Sequence, residues 1–155
     1  MNNIPFLDLK EVNQPYLAEI NEIVSQSISS GNYILSDCVK EFESAFAAYC
    51  GCKYCVGVAS GLEALILIFE GYKILDLLHA DDEVIVPANT YIASIIAVSR
   101  AGLKPVPVEP DITTYNINPD LIEQKISERT KAILAVHLYG QCADMDKIKK
   151  IAIKL

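Results

Sequence analysis

Two helical stripes of apolar side chains occupy the first fifty residues. Their members are Leu17, Ile20, Val24 and Ile28, followed by Val39, Phe42, Phe46 and Tyr49. Pro15 suits the first turn of the first helix, and Gly31 ends that helix. Ser36 and Asp37 offer capping oxygens to the second helix. Residues 1–52 are therefore predicted to form an N-terminal helical segment.

From residue 53 onward, short apolar runs alternate with helical patterns. The predicted strands cover 54–58, 83–86, 105–108 and 132–137, and the predicted helices cover 62–78, 91–100, a segment opening at 118–119, and 144–155. Strands that are apolar on both faces and joined by helices are typical of a parallel sheet covered on both sides. We therefore predict an α/β fold over residues 53–155, with a mostly parallel sheet and helices on both faces.

The ends of these strands are the places to look for a ligand. Parallel sheets bind ligands outside the carboxyl ends of their strands. The loops at 58–62, 87–91, 109–115 and 137–142 are therefore the candidate binding segments.

Composition and charge restrict the partners. The chain has 155 residues, of which 52% are hydrophobic and 21% charged, as in a globular protein. Its net charge of −7 argues against nucleic acid or an anionic membrane as the partner. No run of 18 apolar residues is present, and the N-terminus has neither basic residues nor a long apolar stretch. We expect a cytoplasmic protein.

Three of the five cysteines, Cys50, Cys52 and Cys55, are spaced closely enough to suggest part of a zinc site. Structural zinc sites need a second pair of Cys or His ligands, and no such pair follows. His79 and His137 are isolated. We expect reduced thiols and no metal, with zinc as the less favoured alternative.

A predicted strand, a small polar residue, a glycine and a helix follow one another around Ser60-Gly61-Leu62. The free N–H groups of a first helical turn, with the helix dipole behind them, attract anions. Gly61 leaves space for a phosphate, and the Ser60 hydroxyl can cap the helix or donate to a ligand. A simple N-cap is the alternative interpretation.

Tyr91 lies where the next predicted strand gives way to a helix. A tyrosine in this place can stack its ring on a flat heteroaromatic ligand. Alternatively, Tyr91 packs at the edge of the core and Thr90 caps the helix.

Several segments, in the same order and spacing, resemble the nucleotide-sugar aminotransferases of the DegT/DnrJ/EryC1/StrS family. They are residues 4–9, 30–35, 39–51, 57–65, 82–94, 105–118 and 135–146, the last with Val136-His137-Leu138-Tyr139-Gly140-Gln141. The sequences of residues 87–94 and 108–118 are most similar to those of family members that aminate C3 of a dTDP-linked 3-keto-6-deoxyhexose.

The resemblance implies a fold-type-I pyridoxal 5'-phosphate enzyme of deoxysugar biosynthesis, working as a homodimer with shared active sites. Its substrates would be nucleotide-linked keto-sugars, with glutamate as the amino donor. On this resemblance, Ser60, Gly61 and Leu62 bind the cofactor phosphate through main-chain N–H groups, and Tyr91 stacks on the pyridine ring.

The family's Schiff-base lysine and the acid that pairs with the pyridine nitrogen would both lie beyond residue 155. None of the chain's own lysines matches that lysine's motif. Residues 53–155 are thus expected to be the first part of a truncated large domain, with no catalytic residue and with weak or absent cofactor binding. A non-catalytic remnant or dimerising module is the alternative. A dehydrogenase-type nucleotide domain is less favoured, because the glycine fingerprint and its acid are missing.

Overall fold

The computed structural model describes residues 4–154. Its helices are α1 (Leu9–Asn13), α2 (Leu17–Ser30), α3 (Asp37–Cys50), α4 (Gly61–Ile74), α5 (Ala93–Arg100), α6 (Pro119–Ile122) and α7 (Met145–Ala152). Its strands are β1 (Glu83–Pro87), β2 (Lys104–Val108) and β3 (Thr130–Ile133), and short 3-10 turns cover Gln14–Tyr16, Glu123–Lys125 and Leu138–Gly140. The chain divides into two compact units, Met1–Gly57 and Val58–Leu155. The predicted domain boundary between residues 52 and 53 stays a prediction.

The first unit contains the two predicted helices, α2 and α3. Gly31 and Gly51 end them in the left-handed conformation that suits glycine at a helix C-terminus. Among residues 4–57, only Ala47 is buried. Phe42 and Phe46 of α3 stack on each other with ring centroids 5.6 Å apart, yet both remain largely exposed.

The second unit is built on a parallel sheet in the order β2-β1-β3. The centre of β1 alternates between two apolar layers, because successive side chains of a strand point to opposite faces. Val84 and Val86 pack with Phe69 of α4 and with Ala97 and Val98 of α5. On the other face, the fully buried Ile85 packs with residues of α6 and α7, namely Ile122, Ile148 and Ile151. The predicted α/β fold, with a parallel sheet and helices on both faces, is confirmed.

Several predicted elements differ from the structure. Residues 54–58 form no strand, so that prediction is wrong. The main-chain groups of a strand must bond to a neighbouring strand. Among the described residues, the only hydrogen bond made by the main chain of residues 54–58 runs from Gly57 N to a side chain, Glu43 Oε1, at 2.6 Å. The helix predicted over 91–100 begins only at Ala93, and the predicted strand over 132–137 is Thr130–Ile133. Leu134 N still donates to Ile85 O, at 2.8 Å.

Candidate functional site

The loops that follow the three parallel strands lie at the same edge of the sheet, the edge formed by the carboxyl ends of the strands. Residues 88–92 follow β1, residues 109–118 follow β2 and residues 134–144 follow β3. The predicted binding segments 87–91, 109–115 and 137–142 therefore belong to one region.

The head of α4 is an exposed capped turn. Ser60 has extended backbone, with φ −163° and ψ 166°, and its Oγ accepts from Glu63 N at 3.2 Å. The Ser60 carbonyl accepts from Ala64 N at 3.0 Å. Within the described residues, the N–H groups of Gly61 and Leu62 have no acceptor, as expected for a first helical turn.

Space and charge at this turn suit a phosphate. A Cβ built on Gly61 would meet no atom within 4 Å, and both Ser60 and Gly61 are exposed. The nearby carboxylate of Glu63 forms an ion pair with Arg100, whose Nη1 lies 3.5 Å from Glu63 Oε1. An anion in solvent can therefore approach the two free N–H groups and the positive end of the helix dipole. The residues fit the phosphate of the expected cofactor.

Tyr91 projects from the loop after β1. Its side chain is 79% exposed, so the ring is not part of the core of the second unit. The backbone beneath it is ordered, because the Tyr91 carbonyl accepts from Ser94 N at 3.1 Å. The hydroxyls of Thr90 and Ser94 are also 3.1 Å apart. An exposed ring on this loop has a free face for a planar ligand, and its stacking role stays a prediction.

Sequence reasoning missed two asparagines in the same loops. Asn116 is buried, and its amide bonds to the main chain of the loop after β3. Asn89 donates from Nδ2 to Tyr115 O at 2.9 Å. The signal for Asn116 was a polar residue next to the apolar Ile117 in a loop, since a buried amide in such a place needs main-chain partners.

Asp111 shapes the loop after β2. Its carboxylate accepts from the Thr113 hydroxyl and from the N–H groups of Thr113 and Thr114, the latter two at 2.8 and 3.1 Å. These bonds favour the charged form and lower the pKa of Asp111 below 3.8, with the Thr113 hydroxyl as the largest cause. The Asp111 carboxylate is therefore a structural acceptor that stays charged at neutral pH.

The described residues contain no group of three or more His, Cys, Asp or Glu side chains arranged to hold a metal ion. All five cysteines are free thiols. No helix within the described range is long and apolar enough to cross a membrane.

Comparison with known proteins identifies close relatives. The profile of the DegT/DnrJ/EryC1/StrS aminotransferase family matches residues 16–155. A dTDP-3-amino-3,6-dideoxy-alpha-D-galactopyranose transaminase of Aneurinibacillus thermoaerophilus is 57% identical over 151 residues, which is 97% of this chain and 40% of that protein. A dTDP-3-amino-3,4,6-trideoxy-alpha-D-glucose transaminase of Streptomyces venezuelae is 46% identical over 149 residues, or 96% of this chain and 38% of the relative.

Solved structures agree with these sequence relatives. DesV of S. venezuelae, crystallised with a ketimine intermediate, superposes with a TM-score of 0.92 at 44% identity, over 99% of this chain and 40% of its own. NtdA of Bacillus subtilis, with bound cofactor PMP, superposes with a TM-score of 0.88 at 31% identity, over 99% of this chain and 35% of its own. The chain thus spans 35–40% of the length of the matched chain in each of these comparisons. A further structural neighbour contains a trapped PLP-glutamate geminal diamine. The predicted cofactor, pyridoxal 5'-phosphate, is therefore confirmed by the bound PLP or PMP of these neighbours.

Proposed function

The chain belongs to the DegT/DnrJ/EryC1/StrS aminotransferase family, and from this membership we propose that it forms part of a pyridoxal-phosphate-dependent sugar aminotransferase. The part it contributes is the binding turn for the cofactor phosphate and the aromatic cover of the cofactor ring. The exposed head of α4, with two N–H groups free to donate hydrogen bonds to an anion, is the observation that carries the proposal.

The proposed substrate is a dTDP-linked 3-keto-6-deoxyhexose, with glutamate as amino donor. Its support comes from the two relatives described above, which are both named as transaminases of dTDP-3-amino sugars. A UDP-linked alternative has weaker support, because the UDP-2-acetamido-2-deoxy-3-oxo-D-glucuronate aminotransferase of Pseudomonas aeruginosa is 41% identical.

Each proposed binding residue has a distinct task. Gly61 and Leu62 donate main-chain N–H bonds to the phosphate, while the Ser60 hydroxyl stabilises the turn by accepting from Glu63 N. Tyr91 covers one face of the ring and excludes water from it. Pyridoxal phosphate, when bound, supplies an electron sink for transfer of the amino group.

A polypeptide of these 155 residues alone is expected to bind the cofactor weakly and not to catalyse transamination. The lysine and the acid that complete the family's site are expected elsewhere in the family sequence, outside these residues. A homodimer is proposed as the working form, since large apolar side chains are exposed on α2 and α3, among them Ile23, Val24 and Phe42.

A charge-reversal test addresses the phosphate turn. Gly61→Glu places a carboxylate at the head of α4, where it suits the helix dipole but repels phosphate. Gly71→Glu makes the same charge change about 15 Å along the same helix, and a Cβ there also meets nothing within 4 Å. Both variants should therefore fold.

The measurement is a ¹⁵N–¹H NMR titration with inorganic phosphate and with pyridoxamine 5'-phosphate, which binds without a covalent bond. We expect both ligands to shift the amide resonances of Gly61 and Leu62 in the unmodified chain and in Gly71→Glu. In Gly61→Glu, we expect no shift of the amide resonances of residues 61 and 62. Shifts at another site, or undiminished binding by Gly61→Glu, would contradict the proposal.

The catalytic part has a separate assay. The 155-residue chain is mixed with pyridoxal phosphate, glutamate and a dTDP-3-keto-6-deoxyhexose, and formation of the dTDP-3-amino sugar is followed by mass spectrometry. No turnover is expected. Turnover that disappears on replacing one lysine would show that a lysine within these residues completes the site.

A further inference from the structure

Two asparagine side chains connect the loops that follow the three strands. Asn116 is 3% exposed. Its Oδ1 accepts from Leu138 N at 3.0 Å, and its Nδ2 donates to Gln141 O at 3.1 Å, so it connects the loop after β2 to the loop after β3. Asn89, in the loop after β1, donates to Tyr115 O at 2.9 Å. We call Asn89 and Asn116, with these three bonds, the amide clamp.

The bonds made by Asn116 require a neutral amide. One partner is an N–H donor and the other is a carbonyl acceptor, so the side chain must accept and donate at once. A carboxylate can satisfy only Leu138 N, and an apolar side chain can satisfy neither partner. Because the site is buried, the unmatched main-chain group would remain without its hydrogen bond.

The segments held by the amide clamp have unusual backbone conformations. Tyr115 has φ 58° and Tyr139 has φ 53°, in the left-handed region that is unfavourable for tyrosine. Their side chains are 55% and 98% exposed, so core packing does not hold either conformation. The clamp bonds the carbonyl of Tyr115 directly, and it bonds Leu138 and Gln141, which precede and follow Tyr139 in the chain. Such strain persists only where neighbouring groups hold it, and it often marks a functional region.

The amide clamp is connected through Asn89 to the loop that carries Tyr91, the proposed ring-stacking residue. Asn116 follows Tyr115, Tyr115 O is bonded by Asn89, and Asn89 lies two residues before Tyr91 in the same loop. We propose that Asn116 and Asn89 are positioning residues that hold the backbone of the Tyr91 loop, so that the ring meets the cofactor in one orientation. This inference rests on the proposed function. It assigns Asn116 and Asn89 no direct contact with the phosphate or the ring.

Two ligands separate a positioning role from a merely structural one. Inorganic phosphate occupies only the turn at Gly61, whereas pyridoxamine 5'-phosphate also uses the ring stack. Loss of positioning should therefore weaken binding of the second ligand and spare the first. A general loss of folding would weaken both.

The experiment compares three alanine variants by the NMR titration described above. Asn116→Ala removes two bonds of the clamp, and Asn89→Ala removes the third at an exposed position, where folding is not at risk. Asn118→Ala is the matched control, because its Oδ1 caps α6 by accepting from Asp120 N and makes no bond to the clamp. We expect Asn116→Ala and Asn89→Ala to weaken pyridoxamine phosphate binding by up to about twelvefold, and by at least about twofold, the range of an aromatic stack. Phosphate binding should change by less than about twofold, and Asn118→Ala should alter neither affinity.

Unchanged pyridoxamine phosphate binding by Asn89→Ala would overturn the positioning role, whatever the folding of Asn116→Ala. An equal loss for both ligands would also overturn it. If phosphate does not shift Gly61 and Leu62 in the unmodified chain, the proposed function itself fails and the positioning role fails with it. Phosphate binding with no selective effect of the variants refutes the positioning role alone.

Discussion

Replacement of Tyr91 by alanine tests the proposed ring stack. The side chain is 79% exposed, so its loss should change the free energy of unfolding by no more than about 0.5 kcal/mol. An offset aromatic stack contributes about 0.5–1.5 kcal/mol beyond the burial of area. At 25 °C the loss of this stacking contribution alone raises the dissociation constant for pyridoxamine 5'-phosphate about two- to twelvefold, and the lost buried area adds to that rise.

The assay is a titration of pyridoxamine 5'-phosphate followed by its own fluorescence, with urea unfolding of each variant. Tyr91→Phe keeps the aromatic face and should bind within about twofold of the unmodified chain. Tyr54→Ala removes a tyrosine of similar exposure, 75%, from the first unit and should leave the affinity unchanged. The stacking argument is refuted if Tyr91→Ala binds as tightly as the unmodified chain. It is also refuted if Tyr91→Phe loses as much affinity as Tyr91→Ala.

Two further predictions concern stability and pH. Ile85→Ala should lower the free energy of unfolding by about 2–5 kcal/mol, because Ile85 is fully buried in β1. Ile112→Ala is the control: Ile112 is 78% exposed, so its loss should change the free energy of unfolding by less than about 0.5 kcal/mol. Equal effects of the two substitutions in urea unfolding would contradict the assignment of Ile85 to the core. Since hydrogen bonds lower the pKa of Asp111 in the folded chain, the charged carboxylate stabilises the loop fully above pH 3.8 and loses that effect as the pH falls through its lowered pKa. Thr113→Val should move this pKa upward in an NMR titration, and an unchanged value would show that the Thr113 hydroxyl is not the main cause.

The sheet and its coverage could be predicted because burial on two faces leaves a pattern in the sequence. Val84, Ile85 and Val86 are all apolar, and in the structure they supply both core layers of the second unit. Helix starts were also predictable where a cap and a proline coincide. Asn118 caps α6 from its side chain, and Pro119 occupies the first turn.

Element ends and pairings were less predictable. Apart from Gly57, residues 54–58 have apolar side chains suited to a strand, but periodicity does not specify which strand pairs with them. Tyr54 and Val56 are each 75% exposed, and these residues have no ladder in the described part of the chain. The amide clamp was unpredictable for a similar reason. Its bonds join residues 22 to 26 positions apart, and no local pattern records such pairs.

The two sequence interpretations of the Ser60 turn prove to be compatible once its hydrogen bonds are counted. A helix begins with four N–H groups that have no partner inside the helix. The Ser60 hydroxyl satisfies Glu63 N and the Ser60 carbonyl satisfies Ala64 N, so the cap uses only the later groups of the turn. Gly61 and Leu62 retain their N–H groups at the exposed tip, where an anion would approach. A serine cap therefore does not compete with phosphate binding, because it stabilises the helix whose first two amides remain free.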